Sequence, residues 1–503
     1  MADVTRSRIA VALSAYTALS VCRATGQCPD GTPPPCAVQR PAPSPGSVAV
    51  LTFQNVTRDT SSQYLAEGLA DQISTRLGRV ARLTIVSRTA VRRLREPERL
   101  SVQEIGRRLN AANLVNGTIR VAGGRVRVNV EAVRSATGEA VWSAAYDRAS
   151  DDLVGLEEAI ASEVAAGVAG RLSPQERRAL GSRMTSNGAA YEQFLRGNGL
   201  MARRSAASMQ AAVEAYRAAT AADSGFADAY ARMAYALALC ESWGCGDRDS
   251  LLALSRDAAT RALQLNPRSS DAWMGRAYML VESSTGARAH RDDTLLASLA
   301  AFRRAVDLNP RNDEAWHQYG STLRSVSDSA SVDALRRALA LDPARAISYG
   351  DLSATYYVMG LYDRALATMD SALALEPLGA FRAWRTLYRL ASHDTAGAVA
   401  DARLVAGAPF ARAVLAAFAH DSALTQQAET RAAGLACSDF DLPAYLLWTG
   451  RREAAIRALL RCGPSLWIRL QLRMAYSSQL LDDPRIQALR AASDSVLARA
   501  RWR

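Results

Sequence analysis

The chain has no lysine: all 61 of its basic residues are arginine, against 49 Asp and Glu, for a formal charge of +12. Arginine-only usage beside abundant alanine reads as the imprint of a GC-rich coding sequence. Arginine then serves as general surface polarity, so the charge argues little for nucleic acid, and none is expected as a partner. Histidine is scarce too. His290, His317, His393 and His420 are scattered, and no Cys-x-x-Cys or His-x-x-x-His spacing occurs. Zinc is thereby disfavoured, and no metal or cofactor is expected. There is no Gly-x-Ser-x-Gly, no Walker A loop and no His-Arg-Asp triplet, so catalysis is not expected.

What is present begins with an export-like leader. Arg6 and Arg8 precede an apolar run over residues 9–21, and Ala24-Thr25-Gly26 offers small residues for cleavage before Gln27. The run is shorter than the about 20 residues a membrane span needs. Two alternatives stay open: an inner-membrane anchor over residues 9–22, and lipidation at Cys22, for which Val21 is a poor preceding residue. The expected location is the periplasm or the outer membrane. Six cysteines remain beyond residue 26, in near pairs: Cys28 with Cys36, Cys240 with Cys245, Cys437 with Cys462. An even count with local pairing fits disulfides in an oxidising compartment, though proximity alone suggests the pairing and free thiols are the alternative. Residues 27–46 are a Cys/Pro-rich linker.

Residues 47–172 alternate strand and helix signals. The run 48–53 (VAVLTF) reads as a buried strand. Ser61 or Ser62 can cap a helix with the stripe Leu65, Leu69, Ile73 and Leu77. A second strand follows at 83–86. Ser101 with Glu104 forms a capping-box pattern before Ile105 and Leu109. A third strand through Ile119 and Val121 meets Gly123-Gly124, a hairpin turn. Val126, Val128 and Val130 then alternate with Arg125, Arg127 and Asn129, a half-buried strand. Leu153, Leu156, Ile160, Val164 and Val168 line a helix.

From about residue 187 the signal is repetition. The segments RALQLNP, RAVDLNP, RALALDP and SALALEP end at Pro267, Pro310, Pro343 and Pro377. Each unit reads as two short helices packed as a hairpin and closed by proline. The pattern resembles the tetratricopeptide repeat (TPR). Trp273, Trp316 and Tyr349 hold its opening aromatic. Gly320 holds the small position, replaced by Ala277 and Ser353. Phe302 and Met369 hold the second-helix large position, and Ala262, Ala305, Ala338 and Ala372 the small one. The resemblance is specific over residues 227–377 and looser on both sides; 187–377 is expected to be the repeat array and 378–503 degenerate helical repeats. The expected fold is a small α/β domain, a mixed sheet with flanking helices, followed by an all-α solenoid.

The motif order in 47–170 (VAVLTFQN, YLAEGLADQISTRL, LTIVSRTAV, IGRRLNAANLVNGTIR, GGRVRVNVEAV, TGEAVWSAAYDR) resembles the TolB-like amino-terminal domain, also called FlgO-type. In that family the domain often precedes TPR arrays, and it also accompanies bacterial kinases, adenylate cyclases and winged-helix regulators. The resemblance implies a non-catalytic envelope or signalling accessory and names no ligand.

The TPR resemblance implies a groove lined by the first helix of each pair. Counting from each repeat start puts Tyr235, Tyr278, His317, Arg324 and Tyr357 there, residue types suited to anchoring a protein or peptide; the alternative is ordinary helix surface. Ten arginines against three acids over residues 76–108 read either as a docking face for acidic partners or phosphate, or as a solvated face. The expected function is an exported protein–protein interaction scaffold. The alternative is a regulatory sensor whose α/β domain binds a small ligand and signals through the array.

Overall fold

The computed structural model describes residues 42–57, 62–94, 97–203, 205–242, 244–284, 292–418, 441–448 and 450–499. The chain from Pro45 onward is one compact body. The leader, Cys22, Cys28, Cys36, His290, His420 and Cys437 lie outside the described residues.

The sheet runs in the order β3-β1-β4-β5-β6, with β2 pairing β4 beyond β1. Its strands are β1 (Ser47–Val50), β2 (Gln54–Asn55), β3 (Thr84–Ile85), β4 (Asn113–Ala122), β5 (Arg125–Arg134) and β6 (Ala140–Ala149). β1 lies parallel to β3 and β4, and β4, β5 and β6 form an antiparallel meander. Gly123 and Gly124 both have positive φ, 57° and 70°, the backbone a two-residue hairpin turn demands.

Helix α1 (Gln63–Leu77) and α4 (Leu153–Ala169) cover one face of the sheet; α2 (Arg88–Arg92) and α3 (Val102–Leu109) lie on the other. Two cap expectations are corrected. Ser62 makes no side-chain cap bond at α1, and Ser61 lies outside the described residues. Ser101 does accept from the Glu104 amide at 3.1 Å, but the Glu104 carboxylate turns to Arg107 and Arg108 rather than back to the cap. Two charged partners on its own helix outcompete one backbone amide. The reciprocal box occurs instead at Ser173 and Glu176, opening the connecting helix α5 (Pro174–Leu180).

The helical array stacks pairs: α6 (Gly188–Ala202) with α7 (Ala206–Ala222), α8 (Ala227–Ser242) with α9 (Arg248–Leu265), α10 (Ser270–Ser284) with α11 (Asp292–Leu308), α12 (Asp313–Leu323) with α13 (Asp328–Leu341), α14 (Ala346–Val358) with α15 (Tyr362–Leu375), and α16 (Gly379–Ala391) with α17 (Thr395–Leu404). After α18 (Pro409–Phe418) come the pair α19 (Asp441–Trp448) and α20 (Arg452–Cys462), then α21 (Leu466–Gln471), a 3₁₀ turn (Ala475–Leu480) and α22 (Pro484–Arg499).

The repeat register is visible in atomic detail. Trp273 and Trp316 each donate their indole N–H to the carbonyl six residues earlier, that of Pro267 at 2.9 Å and of Pro310 at 3.0 Å. Ala262, Ala305, Ala338 and Ala372 are all fully buried where second helices meet their neighbours. Gly320 is required by closeness: a Cβ there would sit 2.7 Å from Leu335 Cγ and 3.0 Å from the Leu335 amide nitrogen. Gly320→Ala gains at most about 1 kcal/mol of helix propensity and incurs about 1–3 kcal/mol of overpacking. Net destabilisation in urea unfolding is the expected result.

One apolar core runs from the sheet through α1 and α4 into α6, α7 and α8, joining Ile73, Val128 and Ile160 to Phe194, Tyr216 and Phe226. The sheet domain and the first helix pairs are therefore not independently buried. Further along, the domain reaches the turns between pairs. Arg311 donates to the carbonyls of Gly78 (2.6 Å), Leu83 (3.3 Å) and Ala81 (3.4 Å). Ser87 donates to Asp342 at 2.6 Å, and Arg93 holds the Leu375 carbonyl at 2.8 Å and the Glu376 carboxylate.

Candidate functional site

First helices of non-adjacent pairs touch, so they line the inside of the array's curve. The Tyr235 hydroxyl on α8 donates to Glu314 on α12 at 2.7 Å, two pairs away. The Tyr235 ring meets Tyr278 edge-on, centroids 5.4 Å apart at 85°. The Gln318 amide donates to the Tyr235 oxygen (3.1 Å) and to Glu314 (3.2 Å). Arg345 closes the cluster by pairing with Glu314 at 2.6 Å and with Asp313. Arg232 pairs with Asp271 at 3.2 Å, and Asn312 donates to the same carboxylate at 2.9 Å.

Asp228 lies beside this row. Burial, with Asp271 nearby, pushes its carboxyl up to about 6, against the pull of Arg79 and Arg232. A raised acid binds its proton more tightly folded than unfolded, so its contribution to stability falls as pH climbs from the ordinary carboxylate range through about 6. Asp228→Asn should match the parent near pH 4 and exceed it at pH 7.5 in thermal melts; equal melting temperatures at both pH values would remove the assignment.

The second half of the inner face holds His317, Ser348, Asp351 and Arg324. His317 Nδ1 is 3.1 Å from the Ser348 hydroxyl, and its Nε2 is 3.6 Å from Asp351. Arg324 reaches the Asp351 carboxylate at 3.3 Å and its carbonyl at 3.2 Å. Serine, histidine and aspartate in contact suggest a nucleophile, but Ser348 is fully buried in a helix and His317 is 4% exposed. No substrate atom can reach the hydroxyl, and the His–Asp separation is too long for a hydrogen bond. The group ties α12 to α14.

Three of the five residues placed in the groove by repeat counting are thus buried: Tyr235, His317 and Tyr357. The Tyr357 ring lies tilted against that of Tyr388, centroids 4.9 Å apart, and shares a core with the C-terminal residues Met474 and Tyr476. In this arrangement the array's own side chains pack around these three, through Glu314 and Tyr278 at Tyr235, Ser348 at His317 and Tyr388 at Tyr357. Tyr278 and Arg324 are half-buried. The repeat pattern of the C-terminal segment does not give its path. The segment returns to the middle of the array, where the Leu466 amide donates to Asp292 (3.0 Å), Arg469 donates to the Ser325 carbonyl (3.3 Å), and Arg473 pairs with Asp328.

The arginine-rich band is mostly spent internally. Arg76 pairs with Glu157, Arg82 with Glu176, Arg88 and Arg92 with Asp71, Arg93 with Glu376, and Arg107 and Arg108 with Glu104. Arg95 lies outside the described residues. Cys240 and Cys245 are bridged, their Cα atoms 5.1 Å apart; Cys462 is half-buried on α20. Among the described residues, no helix is long and apolar enough to cross a membrane, and no group of three or more His, Cys, Asp or Glu is placed to hold a metal.

No protein-family model matches the chain. A curated relative from Rhizobium meliloti (strain 1021), named "Putative adenylate cyclase 3", is 25% identical over 236 residues, 45% of this chain and 40% of that protein. The chain thus spans less than half the length of that relative. Solved structures similar to the chain include TTC0263, a thermophilic TPR protein of Thermus thermophilus (20% identity, TM-score 0.34, 40% of this chain and 100% of that one). Another is YrrB, described as a TPR protein with an unusual peptide-binding site (20%, TM-score 0.26, 38% and 89%). A TPR protein from Parabacteroides merdae covers 61% of this chain and 99% of its own at 13% identity, with a TM-score of 0.32. Over its helical part the chain is similar to tetratricopeptide-repeat proteins of solved structure.

Proposed function

We propose that the chain is a non-enzymatic interaction scaffold whose helical array holds partner proteins or peptides. One observation carries this reading: the array already holds a short helical segment of its own chain, α21 and the residues just after it. Residues 466–473 are gripped by Asp292, the Ser325 carbonyl and Asp328, the mix of side-chain and backbone contacts by which an external segment would be held. Half-buried Tyr278 and Arg324 are the inner-face residues with surface to offer a partner. The motif order in 47–170 supports a TolB-like, FlgO-type assignment for the sheet domain, and the leader supports export to the bacterial envelope.

The test is affinity capture from envelope extract with the full chain as bait. Replacing Tyr278 and Arg324 together by alanine should weaken capture by more than the small fall in melting temperature that losing the Arg324–Asp351 and Tyr278–Tyr235 contacts brings, the fall that Asp351→Asn with Tyr278→Phe measures separately. A parallel fall in both makes the two residues structural and removes the site. Recovery of the full-length chain in the cytosol removes the export reading.

A second reading, a regulatory sensor whose α/β domain takes a small ligand, is favoured by one feature: an arginine-lined cavity where that domain meets the helix leading into the array.

A further inference from the structure

The cavity measures about 730 Å³ and opens between two segments. One is the turn after α1, which supplies Arg79 and Arg82. The other is the stretch from α4 into α5, which supplies Arg171, Glu176 and Arg177. Four guanidiniums thus face one carboxylate.

That carboxylate is already committed. Arg82 donates to both Glu176 oxygens at 3.1 Å, and to the carbonyls of Ala169 (2.7 Å) and Arg171 (3.1 Å). Arg82, with help from the Ser173 amide, holds Glu176 down at about 2, so it stays an anion throughout the working pH range. Arg82 and Glu176 cancel. Three positive charges are left over, those of Arg79, Arg171 and Arg177.

Their donors are only partly used. Arg79 spends one terminal nitrogen on the Ala179 and Ser182 carbonyls, and Arg177 one on the Leu172 carbonyl. The Arg171 side chain donates to none of the described residues. Burial and the neighbouring Arg76 pull the Arg79 pKa down, against the pull of Glu157 and Asp228.

We infer that this cavity binds a small organic phosphate carrying two or more phosphate groups. Three separate guanidiniums suit a ligand of several negative charges, and the guanidinium fork matches phosphate oxygens in pairs. The volume lies within the range of small-molecule sites, and Leu172 and Pro174 offer apolar wall to the organic part. Because the walls come from the sheet domain and from the lead into the array, an occupant bridges the joint between them.

The inference deepens the sensor reading and is separable from the scaffold reading. Titration calorimetry of the full chain at low ionic strength, with pyrophosphate and with ADP, tests it. Pyrophosphate is expected to bind more tightly than inorganic phosphate, and ADP at least as tightly as pyrophosphate. Binding should weaken with added salt, since Arg171 and Arg177 are exposed. Arg171→Gln with Arg177→Gln should lose at least about tenfold in affinity. Arg217→Gln with Arg261→Gln, the same charge change on α7 and α9, should lose little. No binding by the parent, no loss in the first variant, or equal loss in both overturns the site. Should the first variant fail to fold by circular dichroism, Arg171→Gln alone replaces it, since that side chain holds no described partner. Partner capture repeated with pyrophosphate present tests signalling by itself: unchanged capture removes the sensor reading while calorimetry decides the site.

Discussion

Replacing Arg76 by methionine should lower the unfolding free energy by about 3–5 kcal/mol, the usual cost of leaving one member of a buried ion pair alone. Both side chains of the Arg76–Glu157 pair are 0% exposed. Arg76 also donates to the Leu180 carbonyl (2.5 Å) and the Ser182 carbonyl (3.1 Å), and Tyr191 donates its hydroxyl to the other Glu157 oxygen. Three elements thus meet on one carboxylate: α1, α4 and α6. Burial pushes Glu157 up to about 7, while Arg76 pulls it down. Without Arg76 the carboxyl rises further and stays protonated in the fold to a higher pH. The folded state then binds more protons than the unfolded one, so the deficit should be largest near pH 8 and shrink toward pH 5. The double variant Arg76→Met, Glu157→Leu should recover part of the loss, since apolar side chains of similar volume often replace a buried pair at little cost. Urea unfolding at the two pH values is the measurement. A single-variant loss below about 1 kcal/mol, the level of an exposed pair, would mean the pair does not hold the joint.

The legible parts of this fold are those whose packing partners are close in sequence. The meander was readable because Val126, Val128 and Val130 alternate beside Gly123-Gly124, and the structure buries all three valines on the face toward α4. The helix pairs were readable because Ala305, Ala338 and Ala372 recur at the repeat length, with Ala262 one longer unit ahead, and all four are buried. Curvature was not readable. Tyr235 meets Glu314 79 residues away only because successive pairs rotate, and no periodicity within one pair records that rotation. The groove residues inferred from repeat position therefore included Tyr235, His317 and Tyr357, whose burial is a property of the whole array. The arginine band was ambiguous for a related reason. Arg93 and Arg76 look alike in the sequence, yet one grips Glu376 and the other Glu157, and neither partner is marked by spacing. Ser173 and Glu176 mark a helix start in the connecting stretch, but nothing in the sequence marks the cavity beside it, which exists only once the turn after α1 has come against it.

Leu466→Ala is expected to cost about 2–5 kcal/mol, as for other fully buried leucines cut to alanine. Its consequence should be uneven. A linear stack of repeats is stabilised by contacts between neighbours, so each end is free to fray. Here the C-terminal segment breaks that rule by returning to earlier pairs. Leu466 shares a core with Leu295, Leu299, Phe302 and Leu323 of α11 and α12, more than a hundred residues earlier. Residues 468–480 join Tyr357 and Tyr388 of α14 and α16. That closure makes the last helices report on the stability of the middle ones. Loosening Leu466 should let amides of residues 466–481 exchange with solvent well before those of α12 and α13, where the parent exchanges them together. The same variant should uncover the rim formed by Asp292, the Ser325 carbonyl and Asp328, and so raise capture of any partner that docks there. Leu404→Ala, at a leucine 69% exposed, is the control. If Leu466→Ala costs no more than Leu404→Ala and leaves the exchange pattern unchanged, the fold-back contributes no closure, and the array behaves as an open stack.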